Sequence, residues 1–171
     1  MKTARAKKAF TLVETLLYIA LTSIVLTTML GFISLIFTAR EREQTVVELD
    51  AEGESIMQEI VQTARNSQAI NAPAIGVTAG TLNLDTISGT IDPTIYALTG
   101  TNITASQGGG AAVSLNSGRV VASGLSFRNV SAAGTKGSVK IQFTLTYYNP
   151  DNVPNYNYNR TFYGSATLRS N

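Results

Sequence analysis

The chain has 171 residues, which suits one domain plus a membrane segment, and it contains neither cysteine nor histidine. Disulfides and thiolate metal sites are therefore excluded, and the side chain that most often serves as general base or metal ligand is missing. Charged residues make up 14% of the chain, well below the roughly 25% usual in soluble domains, and the net charge of +2 is unevenly distributed.

The chain begins with a short basic leader, residues 1–9, which holds four lysine or arginine side chains and no acid. An uncharged apolar run follows from Thr15 to Ala39. Because about 20 apolar residues cross a bilayer core as a helix, residues 10–39 are predicted to form a transmembrane helix. Basic residues favour the cytoplasmic side of a membrane, so we expect the leader in the cytoplasm and the rest of the chain outside.

A single acid, Glu14, stands at the start of this apolar run. An ionisable group in a membrane helix is costly and therefore indicates a partner or a function. The alternative is that the Glu14 side chain extends to the membrane surface. A secretory signal is disfavoured, because its apolar region spans roughly 7–15 residues and ends in a small-residue cleavage site. An uncleaved membrane anchor stays open.

Residues 40–69 are predicted to continue the helix, to about Ser67, with an amphipathic surface. Apolar or small residues recur there at spacings of three and four, which places them on one stripe of the helix. We expect this stripe to pack under the C-terminal part of the chain, and a coiled coil with a partner is the alternative. The stripe consists of Val46, Leu49, Gly53, Ile56, Met57, Ile60, Val61 and Ala64.

Residues 70–171 are predicted to form a β-rich globular head. The segment Val139–Tyr147 alternates apolar and polar residues, which is typical of a strand with one buried face. Asn116-Ser117-Gly118 predicts a hairpin turn, Gly108–Gly110 a flexible loop, and Asn149–Asn155 a loop between the last two strands. The other predicted strands are Thr94–Leu98, Ala111–Leu115, Val120–Phe127 and Thr161–Leu168.

These elements predict an α+β fold in which a long N-terminal helix, transmembrane in its first half and amphipathic in its second, packs on an antiparallel β-sheet.

The segment Lys7–Glu14 resembles the class III leader of type IV prepilins and type II secretion pseudopilins. In that family a membrane aspartyl peptidase removes a basic leader after a small residue, usually glycine. The new N-terminal residue, typically Phe, is N-methylated, and a Glu lies four residues further on.

The resemblance implies cleavage between Ala9 and Phe10, N-methylation of Phe10, and an assembly role for Glu14. Ala9 is small but departs from the usual glycine. The new α-amine of Phe10 is positively charged near neutral pH. In a filament core away from water, the Glu14 carboxylate of one subunit is expected to pair with the Phe10 amine of the next, and this pairing would fix the axial stagger.

The head loosely resembles J-type minor pseudopilins and W-type minor pilins. The matching segments are Ile95–Leu98, Thr101–Thr104, Val113–Leu115, Val120-Val121, Leu125–Phe127 and the strand Val139–Tyr147. The resemblance favours a minor, tip-type subunit over a major pilin. It also implies a location in the cytoplasmic membrane, as a single-pass protein with its N-terminus in the cytoplasm and its head outside, followed by transfer into a pilus or pseudopilus.

The implied partners are other pilin or pseudopilin subunits, the prepilin peptidase and methyltransferase, and the pilus assembly machinery in the cytoplasmic membrane. No cofactor, no metal and no enzymatic activity are expected, and Asp151 alone supplies too few carboxylates for calcium in its loop. Nucleic acid is not an expected partner, because the head has six basic residues against three acids, short of a basic stripe. A membrane-anchored binding module that never polymerises and a tip adhesin or DNA-uptake pilin are the alternatives.

Overall fold

The computed structural model describes residues 11–135 and 137–169 of the chain. Within those residues one α-helix, α1 (Leu12–Arg65), precedes all the β-strands. A short 3-10 helix, Pro154–Tyr156, lies between the last two strands. The strands are β1 (Ser67–Ala72), β2 (Thr78–Ala79), β3 (Thr81–Thr86), β4 (Thr94–Thr99), β5 (Asn102–Gln107), β6 (Val113–Ser114), β7 (Val120–Asn129), β8 (Ser138–Tyr147) and β9 (Asn159–Thr167).

The chain divides into two compact units between Glu41 and Arg42, and α1 contributes to both. The α+β class, the long N-terminal helix and the antiparallel strand pairing are confirmed. The helix ends at Arg65, and β1 begins at Ser67, where the sequence pattern predicts the end of the helix. The Ser67 hydroxyl donates to the Thr63 carbonyl at 2.7 Å, which satisfies one of the free carbonyls at the helix end.

The strands form two antiparallel sheets, where the sequence pattern predicts one. The first sheet has the order β1-β3-β4-β5-β6, and the second has the order β2-β7-β8-β9. The predicted strand Val139–Tyr147 is confirmed as β8, which lies between β7 and β9. Its odd-numbered residues from Val139 to Leu145 are buried, as the alternation requires. The predicted loop between the last two strands is also confirmed.

The hairpin predicted at Asn116-Ser117-Gly118 is wrong, because this segment links the two sheets. Strand β6 before it pairs with β5, and β7 after it pairs with β8. The buried Asn116 side chain accepts a hydrogen bond from Ile103 N at 2.8 Å and donates one to the Val120 carbonyl at 3.0 Å. Its amide therefore satisfies backbone groups from both sheets, which a hairpin turn residue would not do.

The second half of α1 buries the predicted stripe against the two sheets, which confirms the expected packing. Leu49, Gly53, Ile56, Ile60 and Ala64 are all buried. Leu49, Ile56, Ile60 and Ala64 belong to one apolar core together with inward-facing residues of both sheets. The stripe therefore places the second half of α1 over the head and fixes which of its faces stays outside.

Two glycines let α1 approach β9 closely. A Cβ at Gly53 would lie 2.1 Å from Cζ of Phe162, and a Cβ at Gly164 would lie 2.3 Å from Sδ of Met57. Each glycine thus accepts the large side chain of the other element. Since Gly53 and Met57 are four residues apart on the helix, both contacts lie on the same face.

Candidate functional site

Helix α1 starts with a side-chain cap next to the predicted assembly residue. The Glu14 backbone N–H donates to Thr11 Oγ1 at 3.3 Å, so Thr11 acts as the N-cap of a helix that begins at Leu12. Thr11 and Glu14 also fit the Thr-x-x-Glu pattern of a capping box. This pattern is visible in the sequence, but the capping role of Thr11 was not predicted from it.

Glu14 is exposed and occupies the first turn of α1, where a carboxylate interacts favourably with the helix dipole. The other two predicted site residues, Ala9 and Phe10, lie outside the described residues. The structure therefore brings Glu14 together with Thr11. The predicted cleavage at Ala9 and N-methylation at Phe10 stay predictions.

The first half of α1 is apolar on all sides, and its side chains are exposed from Leu12 to Arg40. Large apolar side chains project around its full circumference, for example Leu12 at 76%, Leu30 at 67% and Leu35 at 69% exposure. A window of this helix with a mean hydropathy of 2.2 is long and apolar enough to cross a membrane. A helix that is apolar all round requires lipid or other protein as its surroundings.

Six hydroxyl groups in this apolar segment are satisfied within the helix. Each donates to a backbone carbonyl three or four residues earlier, at distances from 2.7 to 3.2 Å. Such bonds remove the need for water at a polar side chain, and every polar group inside a bilayer must be satisfied in this way. The donors are Thr15, Thr22, Ser23, Thr27, Thr28 and Thr38.

The second half of α1 carries acids that bind groups of the head. Glu48 pairs with Arg119, and Asp50 pairs with Arg160. Glu52 accepts hydrogen bonds from the backbone and hydroxyl of Ser117. These acids therefore help to hold the helix on the head, whereas Glu14 lies in the other unit.

A buried tyrosine links the first sheet to the helix. Tyr96 on β4 is fully buried, and its hydroxyl lies 3.0 Å from Thr63 Oγ1. The pKa of Tyr96 is raised to about 12, chiefly by burial, with a smaller contribution from the nearby Glu59 carboxylate and an opposing one from the hydrogen bond to Thr63. Burial likewise raises the pKa of Glu59. Tyr96 therefore stays neutral and serves as a polar anchor in the core.

Two pairs of C-terminal aromatic residues stack, one across β8 and β9 and the other between β8 and the 3-10 helix. Phe162 stacks on Phe143 with ring centroids 5.3 Å apart, and Tyr147 stacks on Tyr156 at 5.9 Å. Tyr163 differs, because 72% of its surface is exposed on β9. The aromatic cluster is thus mostly structural, and Tyr163 is left available for a ligand.

The loop after β8 is closed by its own side chains. The Asn149 amide donates to the Val153 carbonyl at 2.9 Å and to Asn157 Oδ1 at 2.7 Å, and its oxygen accepts from Val153 N at 3.0 Å. Asp151 is exposed at its tip. In the described part of the chain, no group of three or more acids is placed to hold a metal ion.

Comparisons of the chain with protein-family models, with curated proteins and with solved structures give no match. The functional interpretation therefore depends on the residues themselves. The features that bear on it are the exposed apolar half of α1, its satisfied hydroxyls, and the lone carboxylate of Glu14 in its first turn.

Proposed function

We propose that this chain is a structural subunit, of minor or tip type, of a type IV pilus or a type II secretion pseudopilus. The observation that supports this most is the contrast along α1. Its first half is apolar on all sides and exposed, and its second half is covered by the head on one stripe. Such a first half needs a lipid bilayer before assembly and neighbouring helices after it.

In the proposed assembly step, Glu14 supplies the negative charge of a pair formed between neighbouring subunits. In the membrane its carboxylate lies at the first turn of the helix, near the surface. In a filament it would move among packed helices, where an unpaired charge is costly. The α-amine of Phe10, freed by cleavage after Ala9, supplies the opposite charge on a neighbouring subunit. Wrong axial registers leave both charges unpaired, so the pair selects one stagger.

The resulting sequence of events involves three partners. The precursor waits in the cytoplasmic membrane as a single-pass protein with its head outside. Prepilin peptidase and its methyltransferase activity process the N-terminus at Phe10, and the assembly machinery then transfers the helix into a filament of other pilin subunits. No cofactor is required, because the chain contributes packing and charge pairing.

The first experiment determines the mature N-terminus of the protein from its native host by mass spectrometry. The proposal expects a chain that begins with N-methyl-Phe10. An intact leader in every copy would contradict it and would leave a membrane-anchored binding module that never polymerises.

The second experiment compares filament incorporation of Glu14→Ala with that of the wild type. We expect incorporation to fall at least about tenfold, because an unpaired buried charge costs several kcal/mol. Glu14→Gln should behave like Glu14→Ala, since it keeps the shape but removes the charge. The head should unfold as in the wild type in both variants, as Glu14 lies outside its unit.

Thr11→Ala is the matched control. It removes the N-cap hydrogen bond to Glu14 N and leaves the carboxylate in place. An equal loss of incorporation in Thr11→Ala would show that the start of the helix, rather than the charge of Glu14, governs assembly. Normal incorporation of Glu14→Ala would contradict the charge-pairing mechanism directly.

A further inference from the structure

The outward side of the second sheet, formed by β7, β8 and β9, has an unusual charge distribution. We call this side the polar face. Its residues alternate with the buried ones along each strand. Its two charged side chains, Arg128 and Lys140, are both positive. The remaining positions on this face are mostly Ser, Thr, Asn and Gln, together with the exposed Tyr163.

Arg128 and Lys140 lie directly opposite each other on β7 and β8. Like charges at opposite positions of an antiparallel pair destabilise the pairing. In the described part of the chain the ion pairs are Arg119–Glu48 and Arg160–Asp50, so neither cation of the polar face has an acid beside it. This arrangement costs stability in the isolated chain and favours an anionic ligand.

The two cations line an open groove of about 620 Å³. Gln142 lies two residues after Lys140 on β8, and Tyr163 lies opposite Gln142 on β9. Rows of side chains two residues apart on a strand are separated by about 7 Å. An exposed aromatic ring therefore stands one row from the cationic pair. Thr78, Ser126 and Ser165 complete the polar lining of the groove.

We propose that the polar face binds single-stranded nucleic acid, with phosphates on Arg128 and Lys140 and a base stacked on Tyr163. The Arg128 guanidinium can bind a phosphate through two hydrogen bonds, and Lys140 contributes a mobile point charge. An aromatic ring in a positively charged groove is the usual platform for an unpaired base. The Gln142 amide is placed to donate to and accept from the edge of that base.

A single strand suits this face better than a duplex. Bases inside a duplex are stacked on each other, so a tyrosine on a sheet surface cannot reach their faces, whereas the bases of a single strand are free to stack on it. Exposed aromatic side chains on a four-stranded antiparallel sheet are a general way to bind single strands. The net charge of the head does not predict this partner. The prediction depends on which residues lie opposite each other, and these are known only once the strand register is known.

The proposal is independent of filament assembly and is tested on the full chain in non-ionic detergent micelles. The probe is a fluorescein-labelled oligothymidylate, and binding is followed by fluorescence anisotropy over a salt series starting at low ionic strength. Two phosphate contacts predict a slope of log K against log salt of about −1.4. Arg128→Gln and Lys140→Gln should each reduce the steepness of this slope by about 0.7.

Tyr163 provides a readout that charge alone would not change. Tyr163→Ala should weaken binding at least about fivefold through loss of base stacking, while Tyr163→Phe should bind like the wild type. Arg119→Gln is the control for net charge, because Arg119 immediately precedes β7, at the end remote from Arg128. It should leave binding of the oligonucleotide unchanged.

Several outcomes would overturn the proposal. The first is absence of binding at low salt. The second is an equal loss of binding in Arg119→Gln and Arg128→Gln, which would indicate a response to net charge only. The third is unchanged binding by Tyr163→Ala together with equal competition by polyphosphate, which would indicate an anion surface without base recognition. Since Arg128, Lys140 and Tyr163 are exposed, we expect circular dichroism to show folded variants.

Discussion

The two halves of α1 differ in what surrounds them, although they belong to one helix. The first half has exposed apolar side chains on every face, and the second half has one buried stripe bordered by acids that bind the head. The first half needs lipid or other proteins to cover its apolar side chains. The second half is covered by the sheets of its own chain. Equivalent substitutions in the two halves should therefore have very different effects on the head.

The largest effect is expected for a buried leucine. Leu49 is fully buried in the second half, and Leu26 is 56% exposed in the first. Leu49→Ala should lower the free energy of unfolding of the head by about 2–5 kcal/mol, because it removes apolar contacts and leaves a cavity. Leu26→Ala should change it by less than about 0.5 kcal/mol. Urea unfolding of the full chain in micelles measures both.

The contrast between the halves would break down if Leu26→Ala destabilised the head as much as Leu49→Ala. That result would mean that the first half of α1 is part of the folding unit of the head. An unchanged dependence of the free energy on urea concentration would show that both variants unfold to the same extent.

Alkaline pH should weaken the packing of the second half of α1 on the first sheet, because Tyr96 of β4 binds Thr63 of the helix. The folded chain holds the Tyr96 proton with a pKa of about 12, while an unfolded tyrosine titrates near pH ~10. The stability from neutral Tyr96 is therefore fully present below about pH 10 and is lost as the pH rises towards 12, by about 2–3 kcal/mol in total. Urea unfolding at a series of alkaline pH values measures this loss.

Tyr96→Phe separates this effect from general alkaline denaturation. The variant should lose about 1 kcal/mol at neutral pH, because Thr63 loses its hydrogen-bond partner. Its stability should then fall less steeply than that of the wild type above about pH 10. If both proteins lost stability equally over that range, another group would be responsible.

The smallest effect compares the same substitution at two helical glycines. A Cβ at Gly53 would meet the Phe162 ring, while a Cβ at Gly31 has no other group within 4 Å. Gly53→Ala should destabilise the head by about 1–2 kcal/mol, because overpacking outweighs the gain in helix propensity. Gly31→Ala should leave the head unchanged. Thermal unfolding by circular dichroism distinguishes these outcomes.

Phe162→Leu in the Gly53→Ala background sharpens the comparison. If the ring of Phe162 is the obstacle, the double variant should be more stable than the sum of the two single effects predicts. Simple additivity would place the cost of Gly53→Ala elsewhere in the helix.

The elements in which apolar residues recur at regular spacing were predicted from the sequence. The helix, its buried stripe and β8 all follow from spacings visible in the chain. Strand β5 was not among the predicted strands, although polar and apolar residues alternate from Asn102 to Ser106; the structure also buries the polar Thr104 between Ile103 and Ala105. Strand β3 alternates as well, with Leu82 and Leu84 buried, and both strands could have been predicted.

The candidate site was predictable only in part. Glu14 and its apolar surroundings were found from charge and hydropathy, and the cap by Thr11 was available from the Thr-x-x-Glu pattern. The juxtaposition of Arg128 and Lys140 was not available, because it depends on the pairing register of two strands, and this register is shifted by a bulge between Ser123 and Ser126. Gly124 in that bulge has φ +61°, which suits glycine.

The reciprocal contacts of Gly53 with Phe162 and of Gly164 with Met57 have a mechanical consequence. Four residues of helix advance about 6 Å, and two residues of strand advance about 6.8 Å, so the two steps nearly match. Any sliding of the helix along β9 drives a large side chain against backbone at both contacts. An axial load on α1 would thus pass into β9 as shear, where the hydrogen bonds to β8 resist together rather than one at a time.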